Sequence, residues 1–187
     1  MKELNYKTLF LDRDGVINRR KVGGYVQNWE EFEYLPQVES ALLRLAQYFP
    51  TLLVVTNQQG VEKGLMTEQE LIRLHQTLVE DITEKGGRID KVYYCPHHQE
   101  VGCPCRKPNT DMAFQAKRDF PDIDFSTSIM VGDSKTDLQF GRKLGMKTVL
   151  IRGKDEEIEN DLFDWVFENL IDFVNHIEEN FSKDSIK

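Results

Sequence analysis

Three short apolar runs, each stopped by a polar residue, constrain this chain more than any other feature. Thr8-Leu9-Phe10-Leu11 stops at Asp12, Leu52-Leu53-Val54-Val55 at Thr56, and Ile129-Met130-Val131 at Gly132-Asp133. Runs this short that are apolar at nearly every position, not every second one, suit strands buried on both faces. Val92-Tyr93-Tyr94, Lys147 to Ile151 and Trp165-Val166-Phe167 read as three further strands. Stretches with helical spacing lie among them. Val38, Ala41, Leu42, Leu45 and Phe49 repeat on one face between Pro36 and Pro50. Leu71, Leu74, Leu78 and Ile82 follow Thr67-Glu68-Gln69-Glu70, which has the form of a capping box. Residues 109–120 and 135–144 predict two more helices, the second stopped by Gly145. Ile171, Val174, Ile177 and Phe181 predict a last one, and the chain after Ser182 is expected to fray. Doubly buried strands alternating with helices predict an α/β fold, a single parallel sheet with helices on both faces. Ligands bind such sheets beyond the carboxyl ends of the strands. Asp12, Thr56 and Asp133 are therefore expected to converge.

The 187 residues suit one domain, 1–187. The net charge, 24 − 32 = −8, weighs against nucleic acid or an anionic membrane as partner. Any positive charge for an anionic substrate must then be local. No signal-peptide pattern follows Lys2 and no apolar run approaches a membrane span, so a cytoplasmic protein is expected. In that compartment three cysteines, an odd number, favour metal or thiol chemistry over disulfides.

Four polar pieces could carry chemistry, and each alone has an ordinary reading. Asp12-Arg13-Asp14-Gly15 places two carboxylates on one side of an extended strand end, one able to act as nucleophile and the other to move protons. It also resembles a fragment of a calcium loop, but the twelfth position from Asp12 is Gly23, not the glutamate such a loop needs. Thr56-Asn57-Gln58 offers a hydroxyl and N–H groups to a phosphate oxygen, or is a plain polar turn. Arg106-Lys107-Pro108 offers positive charge, or is a solvated basic pair. Asp133 could complete a Mg²⁺ site with Asp12, while Asp137 reads first as a helix N-terminal acid. The loop 95–105 holds all three cysteines. Cys95-x-His97 and Cys103-x-Cys105 make a four-ligand Cys₃His set of structural-zinc composition, with His98 as a substitute ligand and buried free thiols as the plain alternative.

Taken in order, with three pieces at strand ends, these segments resemble the four motifs of the haloacid dehalogenase-like phosphatase superfamily from about Thr8 to Ile151. Leu11-Asp12-Arg13-Asp14-Gly15-Val16-Ile17-Asn18, Val55-Thr56-Asn57-Gln58, Tyr94-Cys95-Pro96-His97-His98, Cys105-Arg106-Lys107-Pro108 and Val131-Gly132-Asp133 are similar to the D,D-heptose 1,7-bisphosphate phosphatase group, with histidinol-phosphate phosphatases close by. The resemblance implies a Rossmann-like domain without a separate cap and a Mg²⁺-dependent phosphomonoesterase. Asp12 would be the nucleophile and Asp14 the general acid and base. Mg²⁺ would lie between Asp12, Asp133 and the backbone carbonyl of Asp14. Thr56 and Lys107 would hold phosphoryl oxygens, and Arg106, with the second anionic group of the substrate as one candidate partner, would join Asn57, Gln58, Gln59 and Tyr25 in contacting a small phosphorylated sugar. Zn²⁺ would be structural, on Cys95, His97, Cys103 and Cys105, and the enzyme a monomer. The chain departs from the pattern at Arg19-Arg20-Lys21-Val22-Gly23-Gly24-Tyr25, which is longer and basic and leaves open an extra anion-binding role for Arg19 to Lys21, and at Gln59, where serine is frequent. A non-catalytic zinc module binding nucleic acid or protein is the reading from another class. It predicts missing acids or a basic face, and neither holds at −8 with Asp12, Asp14 and Asp133 present.

Overall fold

The computed structural model describes residues 2–3, 5–153 and 158–182, so the expected fraying after Ser182 lies outside the described residues. The chain runs β1 (Lys2–Glu3), β2 (Thr8–Leu11), α1 (Val38–Leu45), β3 (Thr51–Asn57), α2 (Glu68–Glu84), β4 (Lys91–Cys95), α3 (Asp111–Asp119), β5 (Ser128–Gly132), α4 (Lys135–Lys143), β6 (Lys147–Ile151), β7 (Trp165–Phe167), α5 (Leu170–Asn180) and β8 (Phe181–Ser182). Six strands form one parallel sheet in the order β4-β3-β2-β5-β6-β7. Every residue of β2 and β5 is buried, as their unbroken apolar runs require.

The two faces divide the core by strand parity. Leu9, Leu11, Leu52, Val54, Ile129 and Val131 pack with residues of α1, α2 and α5. Phe10, Leu53, Val55 and Met130 pack with Met112, Ala113 and Ala116 of α3 and Phe140 of α4. Thr67 caps α2 in the predicted capping box with Glu70. Gly145, at φ +74°, follows the end of α4.

Two details differ from the sequence expectation. Helix α1 ends at Leu45, four residues before the buried Phe49. Phe181 does not close the last helix but opens β8, which pairs in parallel with β1. A two-residue strand carries no periodicity, so that pair leaves no sequence signal.

Strand order sets the site. From β2 the chain builds outward through β3 and β4, then returns to the other side of β2 with β5, β6 and β7. The crevice at that reversal is where open α/β sheets bind ligands. Leu11 is paired with both Val54 and Val131, so Asp12, Thr56 and Asp133 leave the sheet at nearly one level.

Candidate active site

Three acids meet at the reversal. Asp12 follows β2, and its N–H donates to the Val131 carbonyl at 2.9 Å. Asp133 follows β5, and Asp137 lies in the first turn of α4. All three are buried, with carboxylate oxygens within 4.8 Å of one another. Asp137 also closes a capping box, its Oδ2 accepting from Ser134 N at 3.1 Å and Ser134 Oγ at 2.5 Å. A Cβ on Gly132 would fall 2.1 Å from the Asp137 Cβ, so only glycine lets strand and helix approach this closely.

Two cations answer this crowd of like charge. Lys107, 2% exposed, donates to Asp12 Oδ1 at 2.7 Å and the Val55 carbonyl at 2.6 Å, and pairs with Asp137 Oδ1 at 2.6 Å. An ammonium has three donors, and these partners engage all three. Burial pushes the Asp12 carboxyl up to about 7; Lys107 pulls it down, while Asp137, Asp133 and Asp14 push it further up. Burial opposes the Lys107 charge, but Asp12 and Asp137 outweigh it and hold that lysine above its ordinary value. The second cation is Arg20. Its Nε donates to Asp133 Oδ2 at 2.6 Å and its Nη2 to Asp133 Oδ1. Gly15, at φ +96°, makes room, because a Cβ there would lie 1.9 Å from Asp133 Oδ2. Buried carboxylates converging without nitrogen or sulfur suit a hard divalent cation, so this cluster fits Mg²⁺.

Asp14 is held differently. Arg13 Nη2 donates to both its oxygens, at 3.0 and 2.9 Å; Asn18 donates to Oδ1 at 2.9 Å and Gln58 to Oδ2 at 2.7 Å. Burial alone would raise this carboxyl, but the Arg13 charge and these hydrogen bonds hold it below the ordinary range. Arg13 is fully buried, and its Nη1 lies 3.0 Å from His75 Nε2. Arginine cannot accept, so His75 Nε2 accepts and the ring proton lies on Nδ1. Burial, aided by Arg13, pushes His75 down to about 3.

Thr56 Oγ1 accepts from Gln58 Nε2 at 2.8 Å. Asn57 uses both ends of its amide on the backbone of Lys107, at 3.0 and 3.1 Å, and so clamps the lysine's loop to β3. Gln59 Nε2 donates to the Tyr25 hydroxyl at 2.6 Å. Asp12, Asp14, Tyr25, Thr56, Arg106 and Lys107 line a cavity of about 290 Å³, and Arg20 and Lys21 form part of its wall.

Beside the cavity the cysteine loop closes on itself. Cys105 Sγ lies 2.7 Å from Cys95 Sγ, 2.9 Å from Cys103 Sγ and 3.5 Å from His97 Nδ1. His98 is turned elsewhere, its Nδ1 accepting from Glu100 N at 3.4 Å. Three thiols and one imidazole, gathered without a carboxylate, could hold a metal ion. Arg106 and Lys107 follow this cluster directly, and Arg106 Nη1 donates to the His97 carbonyl at 3.2 Å.

A HAD-hydrolase-like family model matches residues 104–173. The chain is 37% identical over 177 residues to a D-glycero-alpha-D-manno-heptose-1,7-bisphosphate 7-phosphatase of Campylobacter jejuni, covering 92% of this chain and 96% of that one. The chain belongs to the heptose-bisphosphate 7-phosphatase family. A family member of Mycobacterium bovis is 45% identical over 136 residues, 73% of this chain and 72% of that one. A beta-anomer family member of Vibrio cholerae is 39% identical, over 77% of this chain and 80% of that one. The crystal structure of the B. bronchiseptica D,D-heptose 1,7-bisphosphate phosphatase with magnesium and phosphate superposes with a TM-score of 0.83, at 29% identity, over 92% of this chain and 98% of that one.

Within the family pattern, two residues of this site and one contact of a third lie beyond what the motifs marked. Arg20 falls in the segment that departs from the pattern, and its partner Asp133 is 113 positions away. His75 sits on α2 at a core-facing position, where a lone histidine reads as packing. Asp137 was legible as a helix N-terminal acid; its second oxygen, on Lys107, was not.

Proposed function

We propose that this chain is a Mg²⁺-dependent phosphomonoesterase that removes the C7 phosphate of D-glycero-D-manno-heptose 1,7-bisphosphate through an aspartyl-phosphate on Asp12. The observation that carries the reading is the buried Asp12–Lys107 pair, with Asp14 beside it, on the wall of one cavity at the sheet reversal. The Asp12 carboxylate attacks phosphorus, and the bond from phosphorus to the C7 oxygen breaks. Lys107 and Thr56 hold the phosphoryl oxygens, and Asp14 gives its proton to the leaving oxygen. A water then attacks the aspartyl-phosphate while Asp14 takes the water's proton, releasing phosphate and restoring Asp12. Because Arg13, Asn18 and Gln58 hold Asp14 ionised at rest, it takes a proton from solvent before acting as the acid, and as a carboxylate again it serves as the base of this second half. A divalent cation on Asp12, Asp133 and the Asp14 backbone carbonyl would keep Asp12 ionised and neutralise phosphoryl oxygens.

Arg106, Gln59 and Tyr25 line the cavity where the rest of the sugar would lie, while Asn57 and Gln58 act chiefly by holding Lys107 and Asp14. We assign a structural zinc to Cys95, His97, Cys103 and Cys105; it ties the loop that presents Arg106 and Lys107. The remaining reading is a single domain over 1–187, cytoplasmic and monomeric, and light scattering tests the monomer. Phosphate release from both anomers of the heptose bisphosphate, from heptose 7-phosphate and from histidinol phosphate tests the function. Both anomers belong in the panel because relatives are named for each. The highest kcat/KM is expected on a heptose bisphosphate, and a preference for histidinol phosphate would overturn the reading.

A further inference from the structure

Arg20 is not needed for the chemistry above, yet it grips an acid central to it. Both oxygens of the Asp133 carboxylate accept from the Arg20 guanidinium in a fork. Gly15, Asp133 and Arg20 are packed to one point: the Cβ that Gly15 lacks would lie 2.8 Å from Arg20 Nε. Asp133 belongs to the cluster of three buried carboxylates that fits a divalent cation. A divalent cation on Asp133 and a guanidinium forked to the same carboxylate would be like charges a few ångströms apart in a buried site, where repulsion is poorly screened.

The segment bearing Arg20 lies at the surface. Its neighbours make exposed ion pairs, Arg19 with Glu33 at 3.1 Å and Lys21 with Glu31 at 2.6 Å. Val22 is 99% exposed, and Gly23 follows at φ +70°. Arg20 itself is about one-third exposed, with its side chain on the cavity wall beside Lys21. Arg106 lines the same cavity. A substrate with two phosphates brings one to Asp12 and leaves the other in need of a counter-charge.

We infer that Arg20 competes with the divalent cation for Asp133 and, once displaced, pairs with the second phosphate of the substrate. This rests on the reading that Asp133 holds the cation and that the substrate is a bisphosphate. The exchange makes metal and substrate binding mutually reinforcing, since the cation frees the residue that grips the far phosphate. It also gives the basic segment Arg19 to Lys21 a task.

Arg20→Gln separates the two roles by moving two quantities in opposite directions. Calorimetric titration with Mg²⁺ alone is expected to give a Kd about tenfold tighter than wild type, the scale of one charge-assisted pair removed from competition. At saturating Mg²⁺, KM for heptose bisphosphate is expected to rise about tenfold, well beyond any change in KM for heptose 7-phosphate. An unchanged Mg²⁺ Kd overturns the competition, and an unchanged bisphosphate KM overturns the phosphate contact. Asp133→Asn should lose Mg²⁺ binding; if it does not, the cation assignment itself fails, whatever Arg20 does. Should Arg20→Gln not fold, arginine Nε–H spectra of the wild-type protein decide the first half. One resonance should shift as Mg²⁺ is added, and arginine resonances that all stay fixed would refute the exchange.

Discussion

Lys107→Met tests the electrostatic arrangement most severely. Methionine keeps the unbranched apolar stem, ending where the lysine Cε lies, and removes the charge. The lysine ammonium contacts Asp12 Oδ1 at 2.7 Å, Asp137 Oδ1 at 2.6 Å and the Val55 carbonyl at 2.6 Å, all at a buried position. The variant leaves two buried carboxylates and a carbonyl without that donor. Removing one partner of a buried ion pair costs about 3–5 kcal/mol. At this chain length each kcal/mol moves Tm by about 2–4 °C, so a fall of about 6–20 °C is expected at pH 8 in chelator. The loss should depend on pH. The Asp12 carboxyl stands at about 7 with the lysine beside it and rises further without it. A carboxyl raised in the folded state lowers stability as pH climbs from its unfolded value through its folded one. The difference between variant and wild type should therefore be largest at pH 8 and shrink below pH 7, where folded Asp12 is protonated in both. Thermal melts followed by circular dichroism from pH 5 to 8 measure this. A fall under about 2 °C, or one that does not change with pH, would refute Lys107 as the counter-ion of these acids.

Two further outcomes follow from the same geometry. His75 is pushed down to about 3, so between that value and 6.5 the unfolded chain binds a proton that the folded one refuses. Stability should fall as pH drops below 6.5, and His75→Gln, which keeps an acceptor for Arg13, should flatten that part of the Tm profile; an unchanged slope would contradict the assignment. Cys105→Ser should lose bound zinc by elemental analysis and weaken inorganic phosphate binding through Arg106 and Lys107 while far-ultraviolet dichroism stays native. Full phosphate affinity in a zinc-free variant would separate the loop from the site.

The sheet was legible because its strands are buried on both faces, and burial of that kind writes an unbroken apolar run. The residues that end those runs, Asp12, Thr56 and Asp133, then needed only the rule about strand ends to be brought together. The capping box at Thr67 was legible for a local reason, a contact spanning three residues. Arg20, His75 and the second contact of Asp137 were not, because each depends on a partner far along the chain: Asp133, Arg13 and Lys107. Nothing in local composition distinguishes an arginine that reaches a buried acid from one that faces water. Asn57 shows the converse: its position beside Thr56 marked it as near the site, yet its amide serves the Lys107 backbone.

The central claim is that Asp12 forms the bond to phosphorus. Asp12→Asn, assayed for phosphate release from heptose bisphosphate with Mg²⁺ present, addresses it directly. Asparagine keeps the shape and removes the nucleophile, so kcat should fall by about 10⁴-fold or more with the fold intact. Turnover within tenfold of wild type would show that the phosphoryl group never passes through Asp12.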